Sequence, residues 1–137
     1  MSHYNNHSRQ EAYEALQHHV GRAQHAVINM RDYDDWQYYG RQRSDAYKHT
    51  INALLASREL WKQDNVIMGA WAGARADWMA DMRDDLRRIA KYINVEQDLL
   101  QDRKTDVVYR QRNGMHEAWS RVRGTISKIS TANAKHA

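Results

Sequence analysis

Apolar residues recur along the chain in steps of three and four, the spacing that places side chains on one face of an α-helix. The first such seam consists of Tyr13, Leu16, Val20, Ala23, Val27 and Met30. A seam with this heptad-like spacing packs against a neighbouring helix. The pattern therefore predicts a first helix from Ser8 to about Met30, where Ser8-Arg9-Gln10-Glu11 has the form of a capping box.

The second helix is predicted from about Asp35 to Lys62. It follows an acidic cluster, Asp32, Asp34 and Asp35, whose carboxylates can cap a helix start. Its inward face is expected to be Trp36, Gly40, Tyr47, Ile51, Leu54 and Trp61, with Arg58 on the same stripe. Across the whole chain, the side chains expected to be buried include Leu16, Val20, Ile51, Leu54, Trp78, Leu86 and Ile126.

Three further helices are predicted from the positions of polar breaks. Gln63-Asp64-Asn65 ends the second helix, and the third then runs to about Tyr92. Asn94-Val95-Glu96-Gln97 resembles another capping box and would begin a fourth helix that ends near Arg112. Asn113-Gly114 is the clearest stop, because both residues tolerate the left-handed conformation that ends helices. The fifth helix repeats the seam at Met115, Trp119, Val122, Ile126 and Ile129.

Composition strengthens the helical prediction. The 137 residues contain no Pro, no Cys and no Phe, beside five Trp and eight Tyr. Proline interrupts helices because it lacks an N–H and its ring clashes with the preceding turn. We therefore predict an all-α fold, a compact bundle of four to five mostly antiparallel helices. It is expected to be a single domain over residues 1–137, with flexible ends at 1–7 and 131–137.

The same composition argues against several classes of protein. Without Cys there is no disulfide framework, no thiolate zinc site and no thiol nucleophile. No stretch approaches 18 consecutive apolar residues, so no membrane span is expected. The N-terminal residues lack the apolar segment of a signal peptide. We therefore expect a cytoplasmic protein, in the host cytoplasm if the chain is phage-encoded.

Histidines and carboxylates supply the candidate metal ligands. Glu14 and His18 share a helical face, and His25 lies one heptad after His18. Zinc needs three or four converging ligands, which this segment does not provide, so solvent-facing histidines are the favoured interpretation. The acidic ladder Asp77, Asp81, Asp84 and Asp85 is followed by Arg83, Arg87, Arg88 and Lys91. Ion pairs such as Asp84–Arg88 are favoured there over a magnesium site.

No arrangement of residues predicts an active site. The chain offers no Ser/His/Asp or Cys/His pattern, no positioned pair of carboxylates and no Gly-rich phosphate loop. We therefore predict a protein that is not an enzyme, with no catalytic, cofactor-binding or metal residues. Gly69 and Gly73 stand four residues apart and allow a close helix crossing. That crossing is expected within the bundle, with a homodimer through the Gly69/Gly73 face as the alternative.

Charge and aromatic residues indicate where a partner would bind. The net charge is +4, and residues 101–137 contribute eight Lys/Arg against three Asp/Glu. Arg outnumbers Lys 15 to 6, and its planar guanidinium suits carboxylates and phosphates. Tyr and Arg are enriched at protein-binding hot spots and also hold single-stranded nucleic acids. The predicted partner-binding residues are Arg110, Arg112, Arg121, Arg123, Tyr109, Arg41 and Arg43.

These observations predict a small, non-enzymatic binding or regulatory protein. It would act by protein–protein contact on a protein or complex with an acidic surface. In type, though not by sequence match, such a chain resembles the inhibitors that phages and mobile elements direct at host complexes. The alternative is a basic protein that binds nucleic acid weakly through its C-terminal helices. A structural component of a larger assembly is the second alternative.

Two expectations concern individual residues of the C-terminal region. Trp119 falls on the apolar seam and should be buried, whereas Tyr109 should be exposed. Arg110, Arg112, Arg121 and Arg123 are expected to form an exposed basic surface. Replacing Arg121 and Arg123 by Glu should then abolish partner binding and leave folding nearly intact, because exposed charges contribute little to stability.

Overall fold

The computed structural model describes the backbone of residues 6–31, 33–68 and 72–136, and the side chains of residues 8–31, 33–63 and 77–129. Four α-helices account for nearly all of the described backbone, and these ranges contain no strand. The helices are α1 (Asn6–Asn29), α2 (Trp36–Met68), α3 (Ala72–Gln101) and α4 (Thr105–His136). The all-α prediction is confirmed, and the described backbone forms four helices where four to five were predicted.

The helices form an antiparallel bundle in which sequential helices are neighbours. α1 packs most extensively against α2, and α2–α3 and α3–α4 are the other close pairs. Hydrogen bonds from long side chains connect α4 with α1. The Tyr13 hydroxyl donates to the Ile126 carbonyl (3.4 Å), and the Arg112 Nη1 donates to the Val27 carbonyl (3.0 Å). The start of α1 therefore lies beside the end of α4, and α2 and α4 lie diagonally across the bundle.

Side-chain size accounts for the extensive packing of α1 against α2. The contact between α1 and α2 is rich in alanine, with Ala23 and Ala26 on α1 and Ala46 and Ala53 on α2 all buried. Small side chains let two helix axes approach closely. Trp119 on α4 is the largest fully buried side chain among those that the structure describes, which confirms that it belongs to the core.

Both predicted breaks in the second half of the chain are wrong. α3 continues through Asn94 to Gln101, and Glu96 is fully buried within it instead of capping a helix start. α4 runs uninterrupted through Asn113-Gly114. A Cβ added at Gly114 would lie 3.3 Å from a ring carbon of Tyr92. The glycine therefore makes room for a tyrosine of α3, and this packing requirement produced the false stop.

The true end of α3 is a turn that the sequence pattern did not reveal. The Lys104 N–H donates to the Leu99 carbonyl (2.8 Å), and the Arg103 N–H donates to the Leu100 carbonyl (3.1 Å). These bonds form a Schellman motif, which needs a left-handed residue after the helix. Arg103 takes that conformation, with a φ of 59°. Glycine usually occupies this position, so an arginine there gives no sequence signal for the end of a helix.

The remaining helix ends confirm some expectations and correct others. The Tyr38 N–H donates to Asp35 Oδ1 (3.0 Å), which confirms Asp35 as a capping residue. α1 begins at Asn6, so Ser8 lies in its first turn and is not the N-cap. α2 passes through Gln63-Asp64-Asn65 to Met68. Residues 131–136, expected to form a flexible end, carry helical backbone as the last turns of α4.

The buried face of α2 is not the predicted one. Ile51 and Leu54 are only half-buried, as is Trp78 on α3, and Trp36 (45%) and Tyr47 (39%) are exposed. The face turned into the core is Tyr39, Ala46, Thr50, Ala53, Ser57 and Leu60, about 100° around the helix from the predicted stripe. Of the other expected core residues, Leu16, Val20, Leu86 and Ile126 are buried, which confirms them.

Two buried hydroxyl groups explain why the apolar pattern predicted the wrong buried face of α2. The Thr50 hydroxyl donates to the Ala46 carbonyl and the Ser57 hydroxyl to the Leu54 carbonyl, each at 2.7 Å. A polar group that is satisfied by its own helix can be buried at little cost. Thr50 and Ser57 can therefore occupy core positions that an apolar pattern assigns to the outside.

The proposed homodimer face lies outside the described residues. The structure does not describe Gly69, nor the surroundings of Gly73 at the start of α3. Over the part of the chain that is described, no helix combines the length and the apolarity needed to cross a membrane.

The difference in burial between Leu86 and Leu54 gives a stability prediction. Leu86→Ala opens a cavity at a fully buried position and should cost about 2–5 kcal/mol of unfolding free energy. Leu54→Ala, at a half-buried position, should cost only about 1 kcal/mol. Urea denaturation followed by circular dichroism measures both values, with the exposed Leu55→Ala as control. Equal losses for Leu86 and Leu54 would place both side chains in the core and contradict the orientation of α2.

Candidate functional site

An open groove with an apolar floor runs between α2 and α3. Tyr47, Ile51 and Leu54 line it from α2, and Arg87, Ala90, Lys91 and Asn94 line it from α3. Its volume is about 290 Å³. The groove exists because the core takes the small-residue face of α2 and leaves the stripe of larger apolar side chains beside α3 only partly covered.

The apolar surface extends beyond the floor of the groove. Leu55 is 53% exposed and follows Leu54, while Tyr47 is 39% exposed one turn before Ile51. Tyr47, Ile51, Leu54 and Leu55 therefore form a stripe at spacings of four, seven and eight residues, which lies along one side of α2. Isolated apolar side chains on a surface need no explanation, but a continuous stripe of them marks a candidate binding surface.

The rim of the groove on α3 is positively charged. Arg87 and Lys91 are exposed and stand one helical turn apart. Arg87 pairs with Asp84 at 3.4 Å, and both side chains of this pair are largely exposed. An exposed pair of this kind contributes little and exchanges readily with water. The ladder thus forms i,i+3 pairs, Asp84–Arg87 and Asp85–Arg88, where i,i+4 pairs such as Asp84–Arg88 were expected.

The structure does not bring the predicted partner-binding residues together. Tyr109 is 65% exposed, as expected, and Arg110, Arg123 and Arg41 are also exposed. Arg110 and Arg123 are separated by about 20 Å along α4 and lie on different flanks of its exposed face. Arg41 lies on α2, diagonally across the bundle from α4.

Arg43 is half-buried, and its Nε atom is buried without a hydrogen-bond partner among the described residues. Its guanidinium is therefore only partly available to a partner. The seven predicted residues are therefore dispersed over the protein and do not form one continuous surface.

Arg112 is not part of an exposed basic surface, contrary to expectation. Its side chain is only 11% exposed and forms an ion pair with Glu96 through Nε and Oε1. Arg112 Nη2 also donates to Glu96 Oε2 (3.0 Å), and Nη1 reaches the Val27 carbonyl of α1. The N–H groups of the Arg112 guanidinium therefore donate to acceptors inside the protein. This pairing is required because the carboxylate of Glu96 is buried.

Tyr39 completes this buried network. Its hydroxyl donates to Glu96 Oε2 at 2.6 Å, and its ring packs edge-on against Tyr33 and Trp36. Burial, followed by the hydrogen bond to Glu96, raises the pKa of Tyr39, so the hydroxyl remains a donor. Burial alone would lower the pKa of Arg112, but the bonds to Glu96 outweigh it and raise the value. The network thus keeps one buried carboxylate between two permanent donors.

Arg121 also has a structural partner. It donates from Nε and Nη2 to both carboxylate oxygens of Asp85, at 2.9–3.2 Å, and Asp85 is buried on α3. Reversing Arg121 to Glu would place a second carboxylate against Asp85. We therefore expect this reversal to lower the stability of the fold, whereas the sequence had led us to expect little change. Arg110 and Arg123 form no bond to a buried group among the described residues.

Histidines of α1 and α2 meet at the closest helix pair. His19 Nδ1 and His49 Nδ1 are 2.9 Å apart, with the two rings stacked at 5.2 Å. One ring must donate and the other accept, so the contact needs at least one neutral imidazole. His18 adds an edge contact with His19 at 5.1 Å. His25 lines a cavity together with Arg22, Asp45 and His49, and His18 is not among the residues that line it.

The interface signal that sequence analysis missed was a surplus of apolar positions on α2. Both the stripe through Ile51 and the stripe through Ala53 have helical spacing, and one four-helix bundle can bury only one of them fully. Small side chains such as Ala46 and Ala53 give the stripe through Ala53 a low hydropathy, so the stripe through Ile51 looked like the buried one. Which stripe is buried depends on the positions of the neighbouring helices.

The buried network predicts unequal costs for two arginine variants. Arg112→Met leaves Glu96 buried without its cation and should cost about 3–5 kcal/mol of unfolding free energy. Arg110→Met, at an exposed position, should change it by less than about 0.5 kcal/mol. The double variant Arg112→Met/Glu96→Met should recover part of the loss. Urea titration measures all three, and a double variant no better than Arg112→Met would show that Glu96 is not the cause.

The histidine pair predicts that stability falls in mild acid. Burial, followed by nearby cationic groups, lowers the pKa of His19 and of His49. The unfolded chain then binds protons at a higher pH than the folded chain, so stability is lost as the pH falls through the ordinary value of 6.5. Urea midpoints at about pH 7.5 and about pH 5.5 measure this loss. His19→Gln/His49→Gln should show a smaller loss than His25→Gln, and equal losses would contradict the assignment.

Among the described residues, no group of three or more His, Asp or Glu side chains is arranged to hold a metal ion. Comparison of the chain with protein-family models, with curated proteins and with solved structures gave no match in any of the three.

Proposed function

We propose that this chain is a non-enzymatic protein that acts by binding another protein through the groove between α2 and α3. The observation that supports this function is the partly covered apolar stripe Tyr47, Ile51 and Leu54, which the exposed Leu55 extends beyond the groove. Large apolar side chains held on rigid helices lose little freedom on binding and are typical anchors of protein interfaces. A bundle that buries a core elsewhere and leaves such a stripe open is suited to occupying the surface of a partner.

The exposed arginines have a secondary role in this proposal. Arg110, Arg123 and Arg41 are scattered, so each would contribute at the edge of a contact or steer an acidic partner towards the protein. Inhibition of a larger host complex, in the manner of small phage or mobile-element inhibitors, is the form of regulation that we propose. Such inhibition requires only that the protein, bound through its groove, cover a surface that the complex uses for its own activity.

Capture from a native lysate of the source cells tests the proposed function. The wild-type chain should retain a partner protein, and Tyr47→Gln/Leu55→Gln should lose it, because both side chains are exposed and removing them affects binding more than folding. Ile28→Gln is the matched control, since Ile28 is an exposed apolar residue of α1 away from the groove. Thermal unfolding verifies that all three chains are folded.

Three outcomes would contradict the proposal. Equal capture by the double variant and the control would remove the groove from consideration. Loss of capture after nuclease treatment would favour the nucleic-acid alternative. Self-association of the pure chain into a defined ring or lattice, with no captured partner, would favour a structural component of an assembly.

A further inference from the structure

We infer that the element received by the groove between α2 and α3 is an amphipathic α-helix of another protein, with carboxylates along the flank that faces Arg87 and Lys91. The inference rests on the proposed function and adds the chemistry of the partner. It follows from the spacing of the apolar stripe, from the charge of the rim and from what the other occupants would have to contact.

The spacing of the apolar side chains favours a helix. Tyr47, Ile51 and Leu54 follow one another at i, i+4 and i+7 and extend for about 10 Å, or two turns. Ridges at these spacings fit between the ridges of another helix. The groove also lies between two antiparallel helices and is open along its length. An added helix would therefore lie against both α2 and α3, as in known cases where a helix binds in a groove.

The rim selects carboxylates. The described residues that line the groove include two cations, Arg87 and Lys91, and no Asp or Glu. Lys91 forms no ion pair with any described residue, and the bond from Arg87 to Asp84 is long and exposed. Arg58, also exposed, extends the positive charge along the same side of α2. Acidic residues on the flank of the incoming helix would meet these cations, whereas basic residues would be repelled.

The same features disfavour two other occupants. In a two-fold dimer through this groove each copy would present the same patch, so Arg87 and Lys91 would approach the cations of the second copy. Nucleic acid would find phosphate contacts at the rim. Ile51, Leu54 and Ala90 on the floor offer no aromatic surface on which bases can stack, and Tyr47 offers one ring.

Two synthetic helical peptides test the inference on the intact chain. Both are about 18 residues long, with leucines at heptad positions a and d; one carries glutamate on its flanks and the other lysine. The wild-type chain should bind the glutamate peptide roughly tenfold more tightly, the effect expected of two surface ion pairs. Fluorescence anisotropy measures the affinities. Arg87→Glu/Lys91→Glu should reverse the preference.

A matched charge control separates the rim from the net charge of the protein. Arg110→Glu/Arg123→Glu makes the same change in charge at exposed positions of α4 that lie outside the groove. This variant should still prefer the glutamate peptide. If it loses the preference as fully as the rim variant does, the attraction is a property of the whole positive protein, and the inference is overturned.

Carbodiimide coupling then locates the carboxylates. The reagent joins a lysine amine to a carboxylate in contact with it, so the glutamate peptide should couple to Lys91. Lys91→Arg should keep the affinity and lose the coupling, because it retains the charge without the primary amine. Lys128→Arg is the control, since Lys128 lies on α4 over the Trp78 ring, outside the groove, and should leave the coupling unchanged.

The outcomes distinguish the inference from the proposed function. Equal affinity for both peptides, no binding of either peptide, or coupling away from Lys91 would overturn the acidic helix. The proposed function would still stand if Tyr47→Gln/Leu55→Gln had lost its lysate partner. If that variant captured the partner as well as Ile28→Gln did, the proposed function would fail and the inference with it.

Discussion

The buried carboxylate of Glu96 is the constraint on which the arrangement of the helices depends. Glu96 is fully buried on α3, accepts a hydrogen bond from Tyr39 of α2 and pairs with Arg112 of α4, which in turn bonds to the Val27 carbonyl of α1. All four helices thus contribute a group to one network. A charge this deeply buried is tolerated only when its hydrogen bonds are complete, so the network admits one register of the helices at this end of the bundle.

The orientation of α2 follows from that register. With Tyr39 turned inward to reach Glu96, the helical repeat places Ala46, Ala53 and Leu60 in the core and carries Ile51 and Leu54 towards α3. The small residues allow α1 and α2 to approach closely, while the stripe of larger side chains through Ile51 and Leu54 is only partly covered by α3. The candidate binding groove is therefore a consequence of how a polar bond and small side chains orient one helix, and its exposed side chains are available without any rearrangement of the bundle.

Some of the cationic side chains neutralise buried carboxylates, and others remain exposed on the surface. Arg112 and Arg121 neutralise the buried carboxylates of Glu96 and Asp85, while Arg87 and Lys91 remain on the rim of the groove. An arginine-rich composition therefore does not measure the charge that a partner meets. The cationic surface left for a partner is smaller than the C-terminal excess of cations indicates, and the binding surface that we propose lies on α2 and α3.

Local periodicity and local hydrogen bonds were enough to predict that the chain is helical, that Asp35 caps a helix, and that five core side chains are buried: Leu16, Val20, Leu86, Trp119 and Ile126. The other features depend on contacts between helices or on a turn without a sequence signal. Gly114 makes room for the Tyr92 ring and does not end a helix, and Glu96 and Arg112 pair across 16 residues. Arg103 adopts the left-handed conformation that glycine usually takes at the end of a helix. The open stripe of α2 also belongs to this group, because periodicity marks a face as apolar but cannot show whether a neighbouring helix covers it.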